Sequence, residues 1–485
     1  MLRFFRINDP YRLLFVLAVV IILGLKAELE FPGTTLPELK GLLVGEMMAD
    51  GKSMYSEVWD SMPPITAFVQ YLFDMVAGRA TLPRHIFSVF IIFLQAAFFG
   101  IILINNKAFN ESNYLPSLLM AALAFFSFDT ISLTREIIGS TFLLLAINNL
   151  LKEIEFKRQR DETMHNLGLY TGLASLSVFS YLVFFVGIIF LLFIFTRVEI
   201  RRFILFLVGF LLPHFILIVW YFWYGNLSAL WNNFYLANLE ISTRALVSIS
   251  SLFYLCLIPL FYFLLSLLMM RREARLTKYQ SQISQVMFFW FVFGLIEIWL
   301  TAFRTPQSFL VCAPPLAYFL NHYLLLTRRK WIAELLLMVL FTGLIVVNSL
   351  SVRNWFAKKI DHSAMFVTDI KADIVNKKVL VLDDDVSLYQ KNKPSTYVLD
   401  WALAKLVFEN ASYQNIVTVD RMLSEDAPEI IIDPENLMEK FWPSIPDWKK
   451  KYKKEGNIYR EITSSSNCPS RNVRTDRNLR SSAIP

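Results

Sequence analysis

The sequence predicts a mainly α-helical protein: a bundle of membrane-spanning helices followed by a small water-soluble α/β domain. Of its 485 residues, 55% are hydrophobic and only 18% are charged, whereas a soluble protein has about 25% charged residues. The charge is also uneven, since 40 charged residues fall within 353–485 and only 47 in the 352 residues before them. These features exclude a soluble globular enzyme, a disordered chain and a disulfide-stabilised scaffold.

The apolar runs predict eleven membrane crossings, because a crossing helix needs about 20 mostly apolar residues, or fewer when its ends are polar. The 31-residue run 167–197 is too long for one crossing, so we divide it into two with a break near Ser177–Ser180. The other nine predicted spans are 13–27, 85–104, 115–130, 137–151, 203–223, 247–269, 285–303, 308–326 and 331–350.

The run 63–78 (PPITAFVQYLFDMVAG) is apolar but carries Gln70 and Asp74 and begins with two prolines. We interpret it as an amphipathic helix that lies along the membrane surface. With this arrangement six segments face one side and hold 18 Lys and Arg residues, against seven on the opposite side. Because basic residues are retained in the cytoplasm, the N-terminus is predicted to be cytoplasmic and the C-terminal domain extracytoplasmic. A single crossing at 167–197 would reverse this assignment.

We therefore predict three regions. Residues 1–352 form the transmembrane domain, with an outer loop at 28–84. Residues 353–462 form the extracytoplasmic α/β domain, in which VLVLDDD (379–385) and PEIIID (428–433) are strand patterns and 396–411 has helical spacing. Residues 463–485 are rich in Ser, Asn and Arg, and are predicted to be disordered.

The first outer loop is acidic, with seven acids and only two bases, Lys40 and Lys52, in 28–62. Glu38 stands just before GLLVGEMM, whose spacing predicts a short helix on the membrane surface. A carboxylate in this place is a candidate base for an acceptor hydroxyl. The alternative is that Glu38 is an ordinary acid at a helix start and that the other acids are simply solvated.

The stretch EMMADGKSMYSEVWDSMPPITAFVQYLFDMVAG (46–78), with Glu38 before it, resembles the first outer loop of GT-C membrane glycosyltransferases. It is most similar to the aminoarabinose/mannosyltransferase-like branch, which uses polyprenyl-phosphate sugars. In that family an acid opens the loop, and a Gly-x-x-x-Tyr turn, a second acid, a Pro-Pro pair and a juxtamembrane helix follow. The residues that match these places are Gly51, Tyr55, Asp60, Pro63, Pro64, Gly78 and Arg84.

The resemblance continues in two later segments. FDTISLTREIIGSTFLLLAI (128–147) resembles the second outer loop, where Glu136 takes the place of an acid that faces the reaction centre. AFRTPQSFLVCAPPLAYFL (302–320) resembles the segment that carries an outer-face arginine, here Arg304, before a helix that contains proline. This sequence departs from the family at one position: the family usually has aspartate at the start of the loop, where this sequence has Glu38. Either Glu38 serves as the catalytic carboxylate, or Asp60 does, or the protein has lost activity.

The resemblance implies transfer of a sugar from a polyprenyl phosphate to an acceptor hydroxyl, with inversion at the anomeric carbon. The reaction needs a carboxylate to take the proton and cations to stabilise the leaving phosphate. The carboxylate candidates are Glu38, Asp60 and Glu136. The phosphate candidates are Arg304, Arg84 and Arg135, of which we favour Arg304. As alternatives, each arginine is an interface anchor or a partner for a nearby acid.

Tyr55 and Trp59 are candidates for stacking on the sugar or isoprenoid, although an interfacial aromatic belt also explains aromatics at these boundaries. No metal site is predicted, since Asp383–Asp385 has the pattern of a solvated turn. The family contains metal-dependent and metal-independent members, so both possibilities are kept. Glu38 and Glu136 are the carboxylates that could bind a divalent cation between them. The net charge of +7 reflects basic inner loops rather than nucleic-acid binding.

The predicted function is thus a glycosyltransferase of the bacterial inner membrane that acts on its extracytoplasmic face. Its partners would be membrane lipids, a polyprenyl-phosphate-linked sugar and a glycan, lipid or protein acceptor. Two alternatives remain. A transporter or lipid flippase is disfavoured because no internal repeat is visible and few charges lie within the spans. A catalytically inactive envelope-assembly protein is kept open by the glutamate at position 38.

Overall fold

The protein consists of a large helical bundle that ends at Val352 and a small sheet-containing domain that begins at Lys378. The predicted disordered tail, 463–485, lies outside the residues that the structure describes. The computed structural model describes residues 2–7, 9–30, 33–155, 160–239, 246–301, 303–353, 355, 359–367 and 374–462.

Fourteen helices of seven or more residues make up the described part of the bundle, joined by shorter helical turns. They are α1 (Arg12–Glu30), α2 (Leu36–Ala49), α3 (Pro64–Ala77), α4 (Leu82–Asn105), α5 (Leu115–Ala124), α6 (Arg135–Ile154), α7 (Asp161–Ser177), α8 (Leu182–Phe195), α9 (Ile200–Trp223), α10 (Ile249–Leu255), α11 (Leu257–Glu273), α12 (Lys278–Leu300), α13 (Ala313–Leu326) and α14 (Lys330–Val352).

Six spans within these ranges are long and apolar enough to cross a membrane: α4, α6, α9, α12, α14, and α13 together with the turn Pro306–Cys312 that leads into it. Helices α10 and α11, which meet at a bend of 66°, would together form a seventh. The structure thus has the expected polytopic architecture. The count of eleven crossings stays a prediction, because the remaining helices are shorter or carry more charge.

The apolar run 167–197 does break at the predicted place. Val178 has an extended backbone, and the tight turn Phe179–Tyr181 separates α7 from α8. Helix α7 then packs closely on α9 through small residues, as is common for helices in membranes. A Cβ atom on Gly168 would lie 2.0 Å from the carbonyl oxygen of Phe206.

Predicted inner segments meet at one end of the bundle. The backbone N–H of Tyr114 donates to the carbonyl of Phe5 (3.0 Å), and the Gln280 amide donates to Asn110 (3.1 Å). At the other end, the Gln70 amide donates to the carbonyl of Leu133 (2.8 Å), which joins the first outer loop to the second. The predicted inner and outer segments are therefore at opposite ends, as the charge bias requires.

Helices α2 and α3 form the first outer loop. Helix α2 begins at the N-cap Thr35, whose hydroxyl accepts from the N–H of Glu38 (3.4 Å). Helix α3 covers almost all of the predicted surface helix and ends at Gly78, whose positive φ of 54° favours glycine. The two helices are in close contact, so the loop is a compact unit rather than a flexible connection.

The C-terminal domain contains a mixed five-stranded sheet with the strand order β2-β1-β3-β5-β4. Strands β1, β2 and β3 are parallel, and β5 is antiparallel to both β3 and β4. Strand β3 lies within its predicted pattern, β1 begins one residue before its predicted pattern, and α15 lies within the predicted helix. The elements are β1 (Lys378–Val381), β2 (Lys393–Pro394), α15 (Trp401–Phe408), α16 (Tyr413–Glu425), β3 (Ile430–Ile432), β4 (Tyr452–Glu455) and β5 (Ile458–Glu461).

The C-terminal domain is fastened to the first outer loop by backbone and ionic contacts. The N–H of Trp59 donates to the carbonyl of Tyr397 (2.7 Å), and the N–H of Asp400 donates back to the carbonyl of Trp59 (2.8 Å). The ammonium of Lys52 lies 2.8 Å from a carboxylate oxygen of Asp426. These contacts close the space between the domain and the bundle and leave a cavity there.

Candidate active site

A cavity of about 490 Å³ lies where the first outer loop, the N-terminus of α6 and the C-terminal domain meet. Its walls are mainly apolar, as is usual for a ligand pocket, with a few charged side chains. The charged residues that line it are Lys40, Asp60, Arg135, Glu136, Asp384, Asp385 and Asp400.

The two cations that line the cavity both approach one aromatic ring, that of Phe303. The Lys40 ammonium is 5.2 Å and the Arg135 guanidinium carbon 5.5 Å from the centre of the Phe303 ring, distances at which cation–π attraction acts. The Arg135 guanidinium also donates to Glu136 (2.9 Å) and to the carbonyl of Phe303 (2.9 Å). These contacts hold its charge at the cavity wall.

Asp60 is one of three buried carboxyl groups that line the cavity: it is 4% exposed, as is Glu136, and Asp400 is 3% exposed. One oxygen accepts from the N–H of Met62 (2.7 Å), whereas Oδ2 has no hydrogen-bond partner among the described residues. The pKa of Asp60 is raised to about 6, mainly because the carboxyl group is buried. The charge of Lys40 acts to lower this pKa, and the charge of Asp400 acts to raise it. A carboxyl group of this kind can exchange a proton near neutral pH.

The C-terminal domain contributes an acidic wall. Asp385 accepts from the N–H of Ser387 (2.9 Å). Asp400 accepts from the Ser61 hydroxyl (3.2 Å) and, as the N-cap of α15, from the N–H of Ala402 (3.1 Å). Within the described ranges no group of three or more His, Cys, Asp and Glu side chains is arranged to hold a metal ion. The cavity therefore has its two cations on the bundle side, together with Asp60 and Glu136, and a wall of carboxylates on the side of the C-terminal domain.

Glu38 lies on the other side of α2, away from the cavity. Its carboxylate is 2.6 Å from Nε2 of His85, whose Nδ1 is 2.7 Å from the carboxylate of Glu28. Residues two positions apart on a helix point in nearly opposite directions, so Lys40 lines the cavity while Glu38 packs against α4. The structure thus brings Asp60, Glu136 and Arg135 together and leaves Glu38 outside the cavity lining.

The other two predicted phosphate ligands also lie outside the lining. Arg84 donates to the carbonyls of Gly78 (2.7 Å) and Ala80 (2.7 Å) in the turn between α3 and α4. Arg304 donates to the carbonyls of Ile298 (2.9 Å) and Trp299 (3.0 Å) at the C-terminus of α12. Both guanidinium groups therefore satisfy carbonyls at helix ends, a common role for basic side chains.

The predicted stacking residues shape the outer loop. Tyr55 is fully buried and donates to the carbonyl of Met62 (2.7 Å), close to Asp60 in the chain. The Trp59 ring packs on Tyr397 of the C-terminal domain, with ring centres 6.1 Å apart. Neither ring is among the residues that line the cavity.

Four charged residues that line the cavity are not among the site candidates that the sequence predicts. Lys40 carried a signal, since it is one of two bases in an otherwise acidic loop. Asp400 had no such signal, because an aspartate before a helix has the pattern of an ordinary N-cap. Asp384 and Asp385 were noted only as a turn.

No protein-family model matches the sequence, and no curated protein matches it. Among solved structures, the protein is similar to ArnT from Cupriavidus metallidurans bound to undecaprenyl phosphate, with a TM-score of 0.49, 11% identity and coverage of 94% of this chain and 99% of that one. It is also similar to the oligosaccharyltransferase of Archaeoglobus fulgidus in the apo form, with a TM-score of 0.46, 10% identity and coverage of 94% and 75%.

Proposed function

We propose that this protein is an inverting membrane glycosyltransferase, which moves a sugar from a polyprenyl-phosphate donor to an envelope acceptor on the extracytoplasmic face of a bacterial inner membrane. One observation carries the proposal. The cavity places Asp60, a buried carboxyl with an unpartnered oxygen, in the same space as Lys40 and Arg135. The excess of Lys and Arg at the opposite end of the bundle supports the orientation.

Arg135 and Lys40 would bind the donor phosphate. A guanidinium presents paired donors that match phosphate oxygens, and an ammonium adds a point charge. As the bond between the anomeric carbon and the phosphate oxygen breaks, negative charge grows on the phosphate, and these two cations would stabilise it. The site lies at the end of the spanning helices, where the phosphate of a membrane-anchored lipid would be found.

Asp60 would be the general base. With a pKa of about 6 it is mostly ionised at neutral pH, yet it holds a proton better than an exposed aspartate. It would take the proton of the acceptor hydroxyl as that oxygen attacks the anomeric carbon. In this proposal Asp60, one of the alternatives left open by the sequence, takes the role that we favoured for Glu38, and Glu136 orients Arg135 through their 2.9 Å hydrogen bond.

The acidic wall of the C-terminal domain would bind the acceptor. Asp384, Asp385 and Asp400 repel a phosphate and so keep the donor on the side of Lys40 and Arg135. Their oxygens accept hydrogen bonds, which suits hydroxyl groups of a glycan or lipid. The domain would therefore supply acceptor recognition while the bundle supplies donor binding.

The test is transfer in proteoliposomes that contain the full-length protein and a radiolabelled polyprenyl-phosphate sugar, with candidate glycan, lipid and protein acceptors added in turn. We expect release of free polyprenyl phosphate and labelling of one acceptor class, both lost in Asp60→Asn. Movement of the intact lipid-linked sugar across the bilayer without bond cleavage would instead support the flippase alternative. If neither bond cleavage nor movement of the lipid is observed, the result would support the alternative of a catalytically inactive assembly protein.

A further inference from the structure

A further carboxyl group, outside the cavity lining, is buried in helix α12. Glu297 is 1% exposed and lies within one of the six helices that are long and apolar enough to cross a membrane. An ionisable residue in such a place is costly, and those that occur usually serve a function.

The carboxyl group of Glu297 is only partly satisfied. The Ser180 hydroxyl donates to Oε1 (2.6 Å), while Oε2 has no hydrogen-bond partner in the described parts of the chain. No salt bridge reaches Glu297 from those residues either. A buried carboxylate that is held by a single neutral hydroxyl is strongly disfavoured relative to the neutral acid, so this geometry favours a protonated Glu297.

Glu297 belongs to a junction of three elements that includes Arg135: the N–H of Thr301 donates to the backbone carbonyl of Glu297 (2.8 Å), and the Thr301 hydroxyl accepts from Arg135 (3.5 Å). The turn that carries Ser180 packs against α6 at Gly139, where an added Cβ would lie 2.7 Å from the Tyr181 ring. Gly139 is one helical turn beyond Glu136, so the turn and α12 support the start of α6. The ionisable groups that face Glu297 across this junction are Arg135, Glu136, Tyr181, Arg304 and Cys312.

We infer that Glu297 is a positioning residue that stays neutral so that the charge of Arg135 is directed into the cavity. The inference rests on the proposed function, in which Arg135 binds the donor phosphate. Arg135 already compensates one carboxylate, Glu136. Ionisation of Glu297 would place a second carboxylate behind the same guanidinium, neutralise its field in the cavity and add repulsion against a phosphate.

The test is the pH dependence of polyprenyl-phosphate binding to the purified full-length protein in detergent micelles. Between neutral and moderately alkaline pH we expect the Kd of the wild type to rise roughly tenfold, because one buried charge near Arg135 is worth at least about 1.4 kcal/mol at short range. The lipid phosphate cannot cause this loss, since its second ionisation lies near pH 6 and added charge would strengthen binding.

In Glu297→Gln, which keeps the shape of the side chain but cannot ionise, we expect the affinity at neutral pH to be retained and the alkaline loss to disappear. Ser180→Ala removes the hydrogen bond to Oε1 and should move the pH at which affinity is lost. The matched control Glu30→Gln removes a carboxylate from the end of another helix, where Glu30 pairs with Lys26, and should behave as the wild type.

Three results would overturn the inference. The first is a wild-type affinity that does not fall at alkaline pH, and the second is an equal fall in Glu297→Gln. Either result would leave the proposed function intact, because binding itself would still be observed. The third is an absence of polyprenyl-phosphate binding by the wild type at every pH, which would overturn the donor site and this inference together.

Discussion

Nε2 of His85 lies 2.6 Å from the Glu38 carboxylate, and this contact turns Glu38 away from the cavity that contains Asp60. The other ring nitrogen contacts Glu28 at 2.7 Å, so the imidazole joins α1, α2 and α4. Each of these contacts needs a proton between nitrogen and oxygen. The cluster therefore fastens the first outer loop to the bundle.

This geometry predicts opposite effects for two carboxamide variants. Asp60→Asn should lower the transfer rate by roughly 10²–10⁴-fold, the usual contribution of a general base, with the protein still folded. Glu38→Gln should instead lower the thermal stability, because it weakens the contact with His85, and should retain most of the transfer rate. Transfer assays in proteoliposomes and thermal unfolding would measure both. Normal transfer in Asp60→Asn, with loss in a stably folded Glu38→Gln, would return the base role to Glu38.

The raised pKa of Asp60 predicts a link between pH, activity and stability. A base with a pKa of about 6 loses its function on protonation, so the transfer rate should fall as pH decreases below that value. Stability should depend on pH in the opposite direction and fall as pH rises, because a raised pKa means that ionisation of Asp60 destabilises the fold. This penalty grows as pH rises from about 4 to 6 and amounts to roughly 3 kcal/mol at most.

Asp60→Asn should therefore raise the Tm at neutral pH, and the gain should vanish below about pH 4, where the carboxyl is protonated in both the folded and unfolded states. Thermal unfolding in detergent across this pH range would measure the gain. An unchanged or lower Tm at neutral pH would show that the Asp60 carboxylate is stabilised by groups that the structure does not pair with it.

Binding of polyprenyl phosphate should be more sensitive to a conservative substitution at Arg135 than at Arg304. Arg135→Lys keeps the charge but removes the forked donors, so the Kd for polyprenyl phosphate should rise roughly tenfold or more. Arg304→Lys is the matched control, since Arg304 donates to carbonyls of α12, and it should leave the Kd nearly unchanged. Lipid binding to the purified variants would measure both. A larger effect at Arg304 would support our original preference for that residue.

The ion pair of Lys52 and Asp426 should help to dock the C-terminal domain. Burial acts to raise the pKa of Asp426, but hydrogen bonds from Lys378 and Lys52 outweigh it and hold the pKa below the usual range. The stabilisation of the fold by ionised Asp426 is therefore fully present above the pKa of this residue in the unfolded chain, about 4. It is lost as pH falls through the lower pKa that Asp426 has in the folded protein.

Asp426→Asn should cost about 1 kcal/mol at neutral pH and increase cleavage by protease between the domain and the bundle. Asp447→Asn provides the control, because Asp447 is 91% exposed in its pair with Lys450 and such pairs contribute little. Equal protease sensitivity in the two variants would indicate that other contacts, such as those of Trp59 and Ser61, hold the domain without this ion pair.

Features that depend on local sequence were predictable. The apolar runs predicted where helices form, the serines near 177–180 predicted the break between α7 and α8, and Pro63 and Gly78 predicted the limits of α3. Strands β1 and β3 followed from their short apolar runs. In each case the signal is contained within a few consecutive residues, because helix starts, turns and apolar burial are decided by near neighbours in the chain.

The membership of the site was decided by tertiary structure alone. Glu38 and Lys40 belong to the same short helix, and only the packing of α2 against α3 and α4 determines which of them faces the cavity. Asp400 lies far along the chain and reaches Ser61 only because its domain docks on the outer loop. Composition and periodicity by themselves determined a polytopic helical bundle followed by a small α/β domain. Which charges face one another depends on how helices rotate and domains dock, and those choices are set by contacts between residues that are distant in the sequence.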